Sequence, residues 1–343
     1  MGRTLVFLVF VLSLLVPATC WSQEKALERG DQYYEDLSYY QAILNYESAF
    51  LKGADNAEHM RRLADSYRQL RDMENAEVWY RKLSKQAEAT SGDKVRYAEV
   101  LRANGKYEQA DEWMRRITGE NKTATVERFM NSQTDVSTLL NDGLFKGIAR
   151  PLSSNTITAD WSPFIYGNEL VFASSRTNDM SFKGYHGYDG KAFMDLYIGE
   201  MKESGDVPKV RMFSKKLNTG YHESNPSFTA DGKEMFFTRN HLEGKYLGRS
   251  TEGVNNLQIY SSRFEKDKWS KAIPFEHNNA DWSSGHPAIS PDGNFLFFVS
   301  DRPGGIGGSD IYICVRNDDG SWSEPTNLGP RINTEANEMA PYL

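Results

Sequence analysis

The fold of the second half of this chain is indicated most clearly by residues 286–300, which read HPAISPDGNFLFFVS. The Pro-Asp-Gly stretch at 291–293 predicts a tight turn, because glycine accepts the positive φ that such turns need. The apolar run over 295–299 predicts a buried strand, and another apolar run follows over 311–315. Several short strands joined by tight turns are therefore predicted in this part of the chain.

The same pattern recurs along the sequence. An asparagine precedes a proline by eight residues at four places: Asn155/Pro163, Asn218/Pro226, Asn279/Pro287 and Asn333/Pro341. Turn residues, an apolar strand and then a third strand follow each of the first three prolines. Short strands repeated about every 60 residues predict a β-propeller, in which each repeat is one blade packed face to face on the next.

The third of these repeats resembles a blade of the TolB-like propellers, through Ser290-Pro291-Asp292-Gly293 followed by Ser309-Asp310-Ile311-Tyr312. The second repeat is similar, and the first departs from the pattern because Tyr166-Gly167-Asn168 replaces Pro-Asp-Gly. The resemblance implies an incomplete TolB-like β-propeller of about three blades over residues 155–343, broken off in its fourth blade. We expect the aspartates of the two Asp-Gly turns to cap their hairpins.

A different period governs the first part of the chain. Ala42, Ala76 and Ala110 lie 34 residues apart, and large residues one helical turn later keep the same spacing. No proline occurs between Ala26 and Thr118, as helices require. A small residue where two helices touch, repeated at this interval, is similar to the tetratricopeptide pattern. The sequence therefore predicts an α-solenoid of three tetratricopeptide repeats over residues 23–118.

Stacked helix pairs form a concave groove, which in tetratricopeptide proteins is lined by the first helix of each pair. By register, this resemblance places six residues in a candidate partner-binding groove: Asp31, Tyr34, Asp65, Arg68, Glu99 and Arg102. Because these side chains are mixed in charge, the first alternative is an ordinary solvated helix face. The second alternative is that the groove docks the propeller.

The first residues have the form of an export signal. A basic start is followed by an apolar run over 5–16, which is too short for a membrane span of about 20 residues. Residues 1–22 are predicted to be a signal peptide; lipidation at Cys20 is the disfavoured alternative, because the residues before it depart from a lipobox. Removal of Cys20 leaves Cys314 as the single thiol, which we expect to pack as a small apolar side chain in a strand.

Residues 119–154 follow neither period. They are rich in Thr, Ser, Asn and Gly, which predicts a linker between the two repeat systems.

The net charge of −7 leaves no excess of Lys and Arg for nucleic-acid phosphates, so a nucleic-acid partner is not expected. No second apolar run is long enough to span a membrane, and no transmembrane segment is predicted.

Sequence motifs for catalysis are absent. The chain has no Gly-x-Ser-x-Gly elbow, no His-Glu-x-x-His helix, no Walker loop and no cysteine pair for zinc. We therefore predict no catalytic residues, no cofactor and no metal ion. His222 and His286, which precede repeat prolines, are expected to make structural hydrogen bonds and not to bind a metal.

The glycine-rich stretch 304–308 is only superficially similar to a phosphate loop. It lacks the Lys-Ser/Thr pair and the following helix, so a flexible hairpin loop is predicted. Asp301 and Asp310 flank this loop and, with backbone carbonyls, could hold a calcium ion, but the ligand spacing of a calcium loop is not reproduced. A salt bridge with Arg302 is the alternative.

The order of export signal, tetratricopeptide repeats and TolB-like blades resembles the OmpA-family envelope proteins of Bacteroidetes, which include a peptidoglycan-associated component of type IX secretion. The resemblance implies a periplasmic, outer-membrane-associated protein whose partners are envelope or secretion-system proteins. In that family a β-sandwich and an OmpA-like domain that grips peptidoglycan follow the propeller. Neither is present in this sequence, and a truncated chain is the expected reason; the alternative is that a partner or a second copy completes the ring of blades.

The function predicted from these features is that of a non-enzymatic scaffold, because both repeat folds offer large surfaces with few catalytic groups. The first alternative is a peptidoglycan- or glycan-binding protein, with Trp161 and Trp282 as stacking platforms. The second alternative is the regulatory propeller of a hydrolase whose catalytic domain is missing.

Overall fold

A computed structural model of the protein describes residues 22–118, 150–177 and 185–343. The predicted signal peptide up to residue 21 and most of the predicted linker lie outside these ranges. Helices fill the first range and antiparallel sheets the other two, which confirms an α part followed by a β part. The described residues fall into two compact units: the first contains residues 22–118 together with His186–Lys191, and the second contains the rest.

Six helices make up the first range. They are α1 (22–35), α2 (Tyr39–Leu51), α3 (Ala57–Gln69), α4 (Met73–Leu83), α5 (Ser91–Ala103) and α6 (Tyr107–Thr118). Three-residue turns connect α1 to α2, α3 to α4 and α5 to α6, so these pairs are helical hairpins. No helix in the described ranges has the length and apolar character needed to cross a membrane.

The 34-residue period marks the buried positions of these helices. Ala42, Ala76 and Ala110 are fully buried and belong to one apolar core. Tyr46 and Tyr80, which lie one turn after the first two alanines, are buried in the same core. Small side chains therefore let neighbouring helices approach, and the large side chains beside them fill the space between.

Gly30 in α1 shows how tightly this core is packed. A Cβ atom at Gly30 would lie 2.5 Å from the buried ring of Tyr46. We expect Gly30→Ala to lower the free energy of unfolding by about 1–3 kcal/mol, because the ring must move within a close-packed core. Chemical denaturation followed by far-UV circular dichroism measures this change.

Gly92 in α5 is the matched control. A Cβ atom there would meet only the Thr90 hydroxyl, at 3.6 Å. Gly92→Ala is therefore expected to be neutral or to stabilise the protein by up to about 1 kcal/mol. Equal effects of the two substitutions would contradict the packing that we describe at Gly30.

The second unit contains three large antiparallel sheets whose strands follow one another in chain order. The first sheet consists of β1 (Asp160–Tyr166), β2 (Glu169–Ser174), β3 (Asp195–Glu200) and β4 (Val210–Met212). The second consists of β5 (Glu223–Phe228), β6 (Glu234–Asn240), β9 (Leu257–Glu265) and β10 (Lys268–Trp269), with β11 (Ile273–Pro274) also paired to β9. Between β6 and β9 lies a small hairpin, β7 (Leu242–Glu243) and β8 (Tyr246–Leu247). The third sheet consists of β12 (Ser284–Ile289), β13 (Phe295–Ser300), β14 (Asp310–Val315) and β15 (Thr326–Asn327).

The middle sheet contributes to a separate core on each of its faces. Phe237 of β6 packs in a core with Val171 of the first sheet, whereas Phe236 packs in another core with Phe298 of the third sheet. Successive side chains of a strand point to opposite faces, so adjacent phenylalanines serve two different cores. The paired aromatics of the sequence are explained by this face-to-face packing.

Cys314 lies in β14 and is fully buried in the core between the second and third sheets. Burial raises the pKa of its thiol to about 12, so the side chain stays neutral. The prediction that Cys314 packs as a small apolar side chain is confirmed.

The Asp-Gly turns also behave as predicted. Asp231 Oδ1 accepts a hydrogen bond from the Lys233 amide at 3.0 Å, and Asp292 Oδ1 accepts one from the Asn294 amide at 3.1 Å. Each carboxylate thus holds the backbone two residues further on, which is the geometry of an Asx turn. The predicted capping role of both aspartates is confirmed.

Two of the repeated asparagines clamp the third strand of the preceding sheet. Asn218 accepts from the Leu196 amide at 3.1 Å and donates to the Leu196 carbonyl at 3.0 Å. Asn333 makes the same pair of bonds with Ile311, at 2.8 and 3.0 Å. The side-chain amide therefore satisfies backbone groups as an added strand would.

The third repeat corrects the spacing inferred from the sequence. The residue that clamps Ile259 is Asn278, with bonds of 3.1 Å to the amide and 2.7 Å to the carbonyl. Asn279, which the eight-residue spacing selects, instead accepts from the Asp281 amide at 2.8 Å. Two adjacent asparagines hide this one-residue shift, because either fits a sequence pattern.

Candidate functional site

The predicted groove residue Asp31 belongs to a first polar cluster with Tyr46 and Arg62. Its carboxylate accepts from the Tyr46 hydroxyl at 2.7 Å and pairs with Arg62 at 3.3 Å. A similar cluster recurs 34 residues later, where Asp65 pairs with Arg96 at 3.1 Å. The polar positions of the first unit therefore follow the same period as its buried alanines.

The second polar cluster consists of Asp65, Tyr34, Arg68 and Arg96. Asp65 accepts from the Tyr34 hydroxyl at 2.8 Å and pairs with Arg68 at 2.6 Å. Burial alone would raise the pKa of Asp65, but hydrogen bonds from Tyr34 and Arg68 outweigh it and lower the pKa. This carboxylate is thus buried, ionised and already partnered.

The structure therefore brings Tyr34, Asp65 and Arg68 of the predicted groove into one cluster, and Asp31 lies in the other. Glu99 is exposed on α5, and Arg102 on the same helix is half-buried. A ligand could reach Asp65 only by displacing its present partners. Their loss would leave the buried carboxylate of Asp65 uncompensated, which is costly because the charge is shielded from water. A partner-binding role for the six residues stays a prediction.

Each large sheet of the second unit carries an arginine over a Phe–Tyr pair, a feature that sequence reasoning missed. The three triads are Arg176 over Phe172 and Tyr197, Arg239 over Phe237 and Tyr260, and Arg302 over Phe298 and Tyr312, with guanidinium-to-ring distances of 4.7–5.1 Å. The arginine follows its phenylalanine by four residues in the first and third sheets but by two in the second. This change of spacing conceals the repeat from a search at fixed positions.

The second sheet differs because its arginine forms a buried ion pair. Arg239 Nε lies 2.9 Å from Glu223 Oε1, and the two side chains are 6% and 0% exposed. Thr219 adds two hydrogen bonds to the Glu223 carboxylate, from its amide at 3.0 Å and its hydroxyl at 2.6 Å. Burial nevertheless raises the pKa of Glu223 to about 7, although Arg239 and Thr219 favour the ionised form. We interpret the pair as structural, since both groups are enclosed.

The two candidate calcium ligands are used within the third sheet. Asp310 accepts from the amides of Ile306 and Gly307, the latter at 3.1 Å, and so holds its own glycine-rich loop. Asp301 accepts from the Ser283 amide at 2.7 Å.

The sequence-based alternative to a calcium site is a salt bridge with Arg302. Arg302 instead donates to the Ser300 hydroxyl at 3.1 Å. Within the described ranges, no three His, Cys, Asp or Glu side chains are grouped so as to hold a metal ion.

Both singled-out histidines accept backbone hydrogen bonds. The Met194 amide donates to His222 Nδ1 at 3.0 Å, and the Ala340 amide donates to His286 Nδ1 at 3.2 Å. Burial lowers the pKa of His286, which favours the neutral ring that accepts this bond. The predicted structural role of the two side chains is confirmed.

A cavity of about 570 Å³ opens within the second unit, beside the first strand of each large sheet. Four residues that line it have positive φ and immediately precede a proline: Ser162 (50°), Asn225 (49°), His286 (51°) and Ala340 (52°). A residue before proline normally adopts an extended conformation, and a non-glycine residue at positive φ costs about 1–3 kcal/mol. Strained backbone is therefore concentrated at one concave surface, as it often is where ligands bind.

Contacts between repeats hold these strained residues. β1, β5 and β12 each pair with the next strand of their sheet. In each of them the register shifts at the strained residue and the proline that follows it, as in a β-bulge. Asn225 donates to the Ser162 hydroxyl at 2.7 Å, and the Ala340 amide donates to His286. Each of these bonds joins the strained position of one repeat to that of the next.

The cavity wall is largely apolar. Besides five prolines it includes the aromatic rings of Phe164, Tyr166 and Tyr342. Among the described residues that line it, Asp231 is the one acidic side chain, and lysine and arginine are absent. A surface of this composition suits an uncharged, apolar ligand or peptide segment.

The chain thus combines a unit of helical hairpins with a unit of meander sheets stacked face to face. No family model matches it, and no curated protein sequence matches it. Solved structures similar to part of it include prolyl endopeptidases (16% identity, TM-score 0.31, covering 48% of this chain and 21% of theirs) and an alpha-L-arabinofuranosidase from Lactobacillus brevis (18%, 0.31, 57% and 60%). A third is the sialidase of Trypanosoma rangeli (11%, 0.29, 49% and 31%). The chain spans less than two thirds of the length of each, and likeness at these TM-scores says nothing about function.

Proposed function

We propose that this protein is a non-enzymatic scaffold of the bacterial envelope, located in the periplasm in association with the outer membrane, and that it binds partner proteins in secretion or envelope organisation. The proposal includes a finer description of the fold, as three tetratricopeptide repeats followed by a TolB-like β-propeller of about three blades. The buried alanines at a 34-residue spacing support the first part. The recurring pre-proline positions at positive φ support the second.

The observation that carries the proposal is the cavity of the second unit. Its volume of about 570 Å³ lies within the range of about 300–1,000 Å³ that is usual for binding pockets. Because its walls lack lysine and arginine, an anionic group would lose its hydration there without gaining a counter-charge, and Asp231 is the one acidic side chain that a cation could meet. We therefore propose that the occupant is an uncharged, apolar segment of a partner protein.

Site-specific photo-crosslinking tests this proposal. A photoreactive residue replaces Ile165, which lines the cavity and is 62% exposed. The control position is Tyr246 of β8, which is exposed but does not line the cavity. After irradiation with an envelope extract of the organism that encodes the protein, we expect a defined adduct at position 165, lost on addition of excess unlabelled wild-type protein. The same adducts at both positions, or none at position 165, would count against the cavity as the binding site.

Glycan binding is the second candidate function, and the exposure of one tryptophan favours it. Trp161 is 49% exposed and directly precedes Ser162 of the cavity, whereas Trp282 is half-buried. An exposed indole beside a concave surface suits stacking on a sugar ring. Retention of the chain by purified cell-wall sacculi, lost in Trp161→Ala and kept in Tyr246→Ala, would favour this function over the scaffold.

A further inference from the structure

The first unit contains, besides its helices, the short segment His186–Lys191. This segment folds into a compact turn, in which the His186 amide donates to the Lys191 carbonyl at 2.7 Å and the Gly190 amide donates to the His186 carbonyl at 2.8 Å. The rings of His186 and Tyr188 are stacked with their centroids 6.0 Å apart. The turn thereby presents Tyr188 to the helices.

Tyr188 meets backbone groups that the helices themselves leave without partners. Helix α2 starts at Tyr39, and its N-cap residue Ser38 makes no side-chain capping bond. The Tyr40 amide in the first turn of α2 donates to the Tyr188 carbonyl at 3.2 Å. At the end of α3, the Gln69 carbonyl accepts from the Tyr188 hydroxyl at 3.1 Å. The first amides and the last carbonyls of a helix have no intrahelical partner, so this one tyrosine complements two helix ends.

The tyrosine ring is also recognised by shape. Tyr188 packs edge to face on Tyr39 at a centroid distance of 5.2 Å, and Tyr39 packs in the same way on Tyr34 at 5.6 Å. Edge-to-face pairs of this kind are worth about 0.5–1.5 kcal/mol beyond the area that they bury. A ring, a hydroxyl and a carbonyl of the same residue are therefore all used in the contact.

The two glycines of the segment, Gly187 and Gly190, lie close to the helices. Gly190 has φ of +65°, and a Cβ atom there would lie 2.4 Å from the Tyr40 ring. A Cβ atom at Gly187 would lie 2.9 Å from the Ser38 hydroxyl. The surface accordingly selects a tyrosine placed between glycines, in the order Gly-Tyr-Asp-Gly.

We propose that the surface formed by Ser38, Tyr39, Tyr40 and Gln69 is a recognition site for a tyrosine in a Gly-Tyr-Asp-Gly turn. Residues 186–191 occupy this tyrosine site as a resident ligand, and a partner segment of the same chemistry binds by displacing them. Because the resident segment belongs to the same chain, its effective concentration is about millimolar, and an external peptide binds the intact protein weakly. The proposal concerns a site separate from the cavity and does not depend on it.

The test measures binding of a fluorescent peptide with the sequence of residues 183–192 to the full chain by fluorescence anisotropy. Tyr188→Ala removes the resident side chain, and we expect this variant to bind the peptide at least about tenfold more tightly than wild type does. Tyr185→Ala, which changes an exposed tyrosine outside the segment, should bind like wild type. A peptide with phenylalanine in place of Tyr188 should bind about three- to tenfold more weakly than the parent peptide, since it lacks the bond to Gln69.

A second variant keeps the test decisive if Tyr188→Ala folds poorly. Gly190→Ala keeps the Tyr188 side chain but adds a Cβ atom that would clash with the Tyr40 ring. The resident segment should then bind less tightly, so this variant should also bind the peptide more tightly than wild type does. Far-UV circular dichroism establishes that the helices of each variant are intact. Folded variants that bind the peptide no better than wild type would overturn the proposal and leave the segment with a purely structural role. Equal binding of a peptide with alanine in place of Tyr188 would overturn it as well.

Discussion

Replacing Glu223 by methionine is expected to lower the free energy of unfolding by about 3–5 kcal/mol, because Arg239 is left as a buried charge without its carboxylate counter-charge. Replacing the other partner of the pair, Arg239→Met, should lower the free energy of unfolding by less, about 1–3 kcal/mol. The asymmetry follows from the chemistry of the two groups. Burial already raises the pKa of Glu223 to about 7, so this carboxyl becomes neutral readily, whereas a guanidinium stays charged.

The pH dependence of Arg239→Met provides an independent check. The folded-state pKa of Glu223 is raised above its ordinary value of 4.5, so the folded state holds a proton that the unfolded state releases. Binding of that proton stabilises the folded state. This stabilisation is complete below pH 4.5, the ordinary pKa, and is lost as the pH rises through about 7, the pKa in the folded state. Without Arg239 the folded-state pKa rises further, so the stability of this variant should fall between about pH 5 and pH 8.

Urea denaturation followed by tryptophan fluorescence measures these differences. The double variant Glu223→Met/Arg239→Met should recover most of the lost stability, since replacing a buried ion pair with apolar side chains is often neutral. Glu200→Ala is the surface control: Glu200 and Lys202 form an exposed pair 2.9 Å apart, and its loss should cost less than about 1 kcal/mol. Equal losses for Glu223→Met and Glu200→Ala would contradict a structural role for the buried pair.

The second large effect is expected at Asn278. Asn278→Ala should lower the free energy of unfolding by about 2–4 kcal/mol, because it leaves both the amide and the carbonyl of Ile259 without their partner. Ile259 is fully buried, so its backbone groups are shielded from bulk water in the folded protein. Thermal unfolding followed by circular dichroism, with chemical denaturation at one temperature, measures the change.

Asn279→Ala is the matched control, in the neighbouring residue and with the same loss of atoms. Asn279 holds only the Asp281 amide of an exposed turn, so its loss should cost about 1 kcal/mol or less. A larger effect at Asn279 than at Asn278 would mean that the eight-residue spacing of the sequence, and not the clamp in the structure, identifies the important asparagine.

Periodic burial could be predicted from the sequence, because it depends on residue size at fixed intervals. The buried alanines of the helices and the apolar runs at Phe236 and Phe298 are examples. The one-residue shift at Asn278 could not be predicted, since Asn278 and Asn279 are chemically identical. Which of the two reaches the backbone of Ile259 depends on how the chain turns before the next sheet.

The candidate sites could be predicted less completely. Helical register predicts that Asp65 lies in a partner-binding groove, but register does not indicate that Tyr34, Arg68 and Arg96 already bind its carboxylate. The cavity is lined by strained backbone at positions such as Asn225 and His286, whose positive φ the sequence does not indicate. Only the proline after each of them is a signal, and it favours an extended conformation instead.

The hydrogen bonds between these strained positions have a consequence for how the second unit folds. Two repeats adopt an unfavourable backbone conformation at a point that the following repeat secures: Asn225 bonds to Ser162, and Ala340 bonds to His286. A single repeat would therefore carry the conformational cost without the bond that compensates it. The repeats of this unit are accordingly expected to form and dissolve together, as coupled elements of a nearest-neighbour system, and to protect their amides from hydrogen exchange as one cooperative block.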